Sequence, residues 1–142
     1  MKRTLLLLVI IFIGLISFGQ QKKLLDEEST IGLTWYDIQT TRSMQDRIYH
    51  YEDGTIGAVF NMNLDPNLMD DYSIGYNYYD GNFWGPYPMY GITTGEAINP
   101  SYTKYRENGE IVVSEGNEGL YINYRMNKGT GNWEEFAFPG PT

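Results

Sequence analysis

Residues 47–62 read RIYHYEDGTIGAVFNM, two runs of β-branched and aromatic residues joined at Asp53-Gly54. An Asp-Gly pair between such runs predicts a β-hairpin, because the turn needs positive φ, which Gly supplies at no steric cost and Asp tolerates. Residues 47–52 form the first arm and 55–62 the second. Downstream, the polar loop NLDPNLMDDYS (63–73) leads to a third strand at 74–79. A turn at Asp80-Gly81-Asn82 follows, then a short fourth strand at Phe83-Trp84, which Pro86 and Pro88 end because neither can donate to a ladder.

The same order of events recurs. Strands are expected at 102–106, 111–114, 120–126 and 133–138, with a turn at Asn108-Gly109 and Gly-rich turns between the later ones. Gly54 has its counterpart in Gly109 after 55 residues, Asn77-Tyr78 in Asn123-Tyr124 after 46, and Trp84 in Trp133 after 49. The drift comes from one loop, 63–73 in the first unit and EGNEG (115–119) in the second, and loop length is what repeated units vary most freely. Four short strands recurring at about 45 to 55 residues are the signature of β-propeller blades. The fold class expected is therefore all-β, with antiparallel four-stranded blades at about 45–90 and 99–142. The alternative is a β-sandwich, which also carries seven or eight short strands but requires no internal similarity. Two blades cannot close a ring of the usual four to eight, so the ring is expected to be incomplete here, with the missing C-terminal blades of the same protein as partner. The strand expected at 31–38, IGLTWYDI, precedes the first unit and is placed to complete a last blade. Gly54 and Gly109 at turns, and Trp84 and Trp133 packed between blades, have structural roles in this reading.

Composition agrees: sixteen Gly, six Pro, thirteen Tyr and three Trp in 142 residues favour strands and turns over helices. Residues 1–19 have a basic start, an apolar run and a small-x-small exit, and are read as a signal peptide; twelve apolar residues, 5–16, fall short of the roughly twenty a membrane span needs. Residues 20–29, QQKKLLDEES, are read as a linker and 30–142 as the β region. The localisation expected is secreted, cell-surface or periplasmic, by Gram-negative export. With no Cys there are no disulfides, thiolate metal sites or Cys nucleophiles. Eighteen acids against ten bases give −8, and loss of Lys2 and Arg3 with the leader gives −10. Such a surface repels nucleic acid and anionic membrane.

The run TIGLTWYDIQTTRSMQDRIYHYEDGTIGAVF, with IGYNYYDGNFWGPYP, NGEIVVS and KGTGNWEE after it, resembles the N-terminal part of secreted bacterial proteins with a sialidase-like six-bladed propeller. That group often carries a C-terminal type IX secretion sorting domain. The resemblance spans residues 30–141 and implies export and a propeller without implying a reaction. An active sialidase would use the Arg of an Arg-Ile-Pro phrase to hold a substrate carboxylate through its planar guanidinium. Arg47-Ile48 matches that phrase, but Tyr49 stands where Pro is expected. No second Arg follows at 60–63, and the proton-transferring acid would have to be Asp70 or Asp71. YDGNFW and KGTGNW are also similar to the Asp-box turn, a structural feature, without matching it fully.

Among candidate sites, Asp65, Asn67, Asp70 and Asp71 gather enough oxygen to interest Ca²⁺, but without the alternating spacing of an EF-hand loop. A solvated acidic loop is the expectation, with no metal and no cofactor. His50 is the only histidine. The aromatic cluster around 76–90 is suited to stacking on sugar rings, and its loop residues Tyr87 and Tyr90, with Arg47, are the ligand-binding candidates. No P-loop, dinucleotide fingerprint or Ser elbow occurs. The function expected is an exported binding or scaffold module for an extracellular glycan or protein. A sialidase-type glycoside hydrolase and a self-contained β-sandwich binding domain are the alternatives.

Overall fold

The structure, a computed structural model, describes residues 28–35, 39, 45–67, 72–117 and 119–140. The chain divides into Met1–Thr30, of which only 28–30 are described and are exposed, and Ile31–Thr142. Within Ile31–Thr142 seven strands form two antiparallel sheets, and no described residue is helical. The first sheet comprises β1 (Ile48–His50), β2 (Ile56–Met62) and β3 (Ser73–Tyr79) in that order. The second comprises β4 (Ala97–Tyr105), β5 (Gly109–Gly116), β6 (Gly119–Arg125) and β7 (Glu134–Pro139), again in chain order. The protein is all-β, as the alternation of β-branched and aromatic residues requires.

The hairpin expected around Asp53-Gly54 is present, with His50 opposite Ile56. Its loop is one residue longer than a two-residue turn: Tyr51 N–H bonds Thr55 O at 2.9 Å, Gly54 N–H bonds Tyr51 O at 3.0 Å, and only Gly54 takes positive φ, at 83°. Asp53 instead accepts from the Thr55 N–H and hydroxyl, a local Asx-type lock. The second hairpin departs further from expectation. Its turn is 106–108, the positive φ falls on Arg106 at 54°, and Gly109 is already in β5 opposite Tyr105. Gly is needed there for space: a Cβ would lie 2.5 Å from the Arg125 carbonyl oxygen.

Two expected strands are absent from the ladders. Residues 83–84 make only a single bridge, Tyr79 with Trp84, so the first sheet has three strands; Gly85 and Pro86 follow too soon for a ladder to extend. Residues 31–35 carry no strand pairing, although Trp35 N–H bonds Asn63 O at 2.9 Å, and 36–38 lie outside the described residues. Four strands of the second unit appear as anticipated, β4 starting earlier than expected and carrying a register shift between Ile98 and Ser101.

The two sheets stack on one shared core of Tyr51, Val59, Ile74, Ala97, Tyr102 and Val112. Registers show which faces meet. Gly57, Val59 and Asn61 on β2 lie opposite Tyr78, Tyr76 and Ile74 on β3. This face points at the second sheet: Gly57 is so close to Tyr102 that a Cβ would lie 1.8 Å from its hydroxyl, and Asn61 Oδ1 accepts from Asn99 N–H at 2.8 Å. On the second sheet, Tyr102, Val112 and Asn123 are in register and fully or almost fully buried. The other face of the first sheet, with Phe60, Gly75 and Asn77, is covered by the extended segment 31–35: Gly32 abuts the Phe60 ring and Asn77 Nδ2 donates to Ile31 O at 2.6 Å. The outer edge of β3 is met by the connecting segment, where Ile92 N–H bonds Ile74 O at 2.9 Å.

Candidate functional site

Where the two sheets meet, the buried face carries charge. Glu110, second residue of β5, has no solvent exposure. Its Oε2 accepts from the Tyr76 hydroxyl at 2.9 Å and from the Tyr102 hydroxyl; its Oε1 accepts from Arg125 Nε and from Gly129 N–H at 3.2 Å. Four donors, two per oxygen, meet the requirement that a buried carboxylate be both paired and hydrogen-bonded. The Arg125 guanidinium lies 4.8 Å from the Tyr76 ring centre and 4.4 Å from that of Trp133, and its Nη1 donates to Gly131 O at 2.9 Å. Tyr51 extends the chain, its hydroxyl 2.8 Å from that of Tyr102.

The tyrosines are held protonated. Burial, and then the Glu110 charge, drive the Tyr76 and Tyr102 hydroxyls far above their usual range, and burial pushes Tyr51 up to about 12. Glu110 and Tyr102 are sealed from solvent, so no substrate atom reaches either in this conformation. The cluster holds the sheets together and forms the edge of a site.

That site is an open cleft of about 380 Å³ lined by Tyr76, Asn77, Tyr78, Asp80, Phe83, Trp84, Gly85, Pro86, Arg125 and Gly129. One wall is the turn after β3. Asp80 accepts from the N–H groups of Asn82 and Phe83, both at 2.8 Å, and these bonds hold its carboxyl below the usual range. The lock fixes where the Phe83 ring projects, and that ring is 77 % exposed. Trp84 is set by a tilted contact with Tyr79, ring centres 5.7 Å apart. Asn77 Nδ2 also donates to Gly85 O at 3.2 Å, tying the loop back to β3.

Arg47 lies elsewhere. Just before β1, it is half-buried and donates to Gln39 Oε1 at 2.6 Å and Gln45 Oε1 at 3.1 Å, and burial lowers its pKa. Among the described residues its side-chain partners are these two glutamines. Tyr87 and Tyr90 are on the connecting loop; Tyr90, 87 % exposed, borders a different hollow beside Met62, Leu64 and Met89. Asp65 caps its own turn by accepting from the backbone and side chain of Asn67, while Asp70 and Asp71 lie outside the described residues. Among the described residues no three acids, His or Cys gather in a way that could hold a metal ion. Trp133 sits at the sheet interface, its ring 5.2 Å from Tyr76, whereas Trp84 faces the cleft, so the two repeated Trp residues have different neighbours. Gly54 and Gly109 serve the turn and the close approach described above.

No protein-family model matches the chain, and no curated protein or solved structure is similar to it.

Proposed function

We propose that this chain is an exported binding module whose cleft beside Arg125 takes an extracellular carbohydrate, and that the stacked sheets are part of a propeller-like repeat that positions it. The observation that carries the reading is the lining of the cleft: exposed Phe83 and half-buried Trp84 beside Asp80, Asn77 and Tyr78. Flat aromatic faces suit the C–H faces of a sugar ring, and a carboxylate suits its hydroxyls. Asp80 spends one carboxylate oxygen on its own turn, which leaves the other for a ligand donor. Export rests on the basic, apolar and small-residue order of the first nineteen residues.

The reading is tested on an array of neutral and acidic glycans, followed by calorimetry with any that bind. Phe83→Ala is expected to weaken binding about tenfold, roughly 1.4 kcal/mol, with the fold intact because the ring is mostly exposed. Failure to bind any glycan, or binding that is indifferent to Phe83→Ala and Trp84→Ala alike, refutes it.

A further inference from the structure

The second sheet buries a mixed face, with Tyr102 and Val112 beside its polar groups, and leaves open a face on which large apolar side chains lie beside Glu115 and Glu134. Glu110, Val112, Ser114, Asn123 and Arg125 are buried against the first sheet. On the opposite side, strand alternation and register place Ile111, Val113, Leu120, Ile122, Phe136 and Phe138 together, with Ile122 opposite Phe136 and Leu120 opposite Phe138. Leu120 is 43 % exposed and both Phe residues 56 %. A sheet face left open to water normally carries fewer large apolar side chains side by side.

The repeat says what this face is for. Ala58 opposes Asn77 in the first sheet as Val112 opposes Asn123 in the second, and in both the Asn amide donates to a carbonyl of the segment lying over it, Ile31 for Asn77 and Ile92 for Asn123. On that alignment Val59 and Tyr76 correspond to Val113 and Ile122. The face that the first sheet uses to dock on the second is therefore the face the second leaves open. At the other end of the stack, segment 31–35 caps the first sheet and turns Leu33 and Trp35 outward, 59 % and 71 % exposed. One chain thus has two different apolar ends on opposite sides of a directional stack.

We propose that the open face of the second sheet is a docking surface for a second copy of this chain, received head to tail, with the Leu33 and Trp35 end of one copy on the Ile122 and Phe136 face of the next. The contact is heterologous, continuing the direction in which the first sheet meets the second. Because each copy is net acidic, added salt strengthens the association.

Sedimentation of the purified protein tests this. The mass is expected to rise with concentration past that of a dimer. Trp35→Lys and Phe136→Lys should each weaken self-association at least tenfold, with an unchanged circular dichroism spectrum since both side chains are largely exposed. An equimolar mixture of the two variants should recover a one-to-one dimer, because each supplies the end the other lacks. Ile122→Lys should behave as Phe136→Lys does. A protein that is monomeric at every concentration, an assembly that stops at a dimer indifferent to Trp35→Lys, or a variant mixture that stays monomeric overturns the proposal.

Discussion

Glu110 decides how much the sheet interface depends on a single residue. Its carboxylate is the common acceptor for Tyr76 from the first sheet and for Tyr102, Arg125 and Gly129 from the second unit. Glu110→Gln keeps the shape and removes the charge, leaving the Arg125 cation with a side chain only 9 % exposed and no counter-ion. Breaking one partner of a buried pair costs about 3–5 kcal/mol, most of it the penalty for the charge left behind. Urea unfolding should show a loss of that size, and a loss below about 1 kcal/mol would mean that the buried Arg125 does not depend on the Glu110 carboxylate. Gly57 is the steric counterpart of this site. The Tyr102 hydroxyl occupies the place of its absent Cβ, so no larger residue fits without moving the hydroxyl that Glu110 and Tyr51 both use. Neither role is visible in the sequence, which singles out neither residue.

At the scale of elements, the two hairpin ends are tied across the interface. Lys128, in the turn between β6 and β7, pairs with Asp53 in the loop between β1 and β2, and its ammonium lies 4.3 Å from the centre of the Tyr51 ring. The Lys128 bond, then the Thr55 bonds, lower the Asp53 pKa from 3.8 to about 2. A carboxyl whose folded pKa is depressed contributes stability that is present above its unfolded value and lost as pH falls through the folded one. The difference in unfolding midpoint between wild type and Asp53→Asn should therefore be constant above about pH 4 and shrink between about pH 4 and pH 2. A difference that stays constant across that window would show that the contact does not form in solution. Elements of this kind were legible where a local rule governs them: the Asp53-Gly54 hairpin and seven of the nine expected strands follow from alternation and turn chemistry. What was not legible depends on contacts remote in sequence. The turn lies at 106–108 rather than at Asn108-Gly109, and Gly109 instead sits in β5, where a Cβ would lie 2.5 Å from the carbonyl of Arg125, a residue sixteen positions away. The cleft combines β3 and its following turn with Arg125 and Gly129, and the sequence pointed to Tyr87 and Tyr90 because pattern alone favours loop aromatics.

For the whole molecule, a polar cluster at the interface makes the two sheets one cooperative unit with a particular vulnerability to base. Tyr51 and Tyr76 come from the first sheet's side and Tyr102 from the second, and burial raises all three above the ordinary tyrosine value near 10. A group whose folded pKa is raised contributes stability that is fully present below its unfolded value. That stability falls as pH rises through the folded one, which for Tyr51 is about 12. The unfolding midpoint should thus be insensitive to these groups up to about pH 10 and decline between about pH 10 and pH 12. Because Glu110 cannot tolerate a phenolate beside it, the three should ionise with the loss of the fold rather than ahead of it. Alkaline titration followed by phenolate absorbance and by circular dichroism should give coincident late transitions, with Trp84 in the first unit and Trp133 in the second reporting the same midpoint. Tyr102→Phe should lower stability at neutral pH, because Glu110 loses a donor, and should also make the alkaline decline shallower, because one raised group is gone. If the buried phenolates titrate while both sheets keep their native spectrum, the tyrosines are reached by solvent without unfolding, and the cluster is not what couples the sheets.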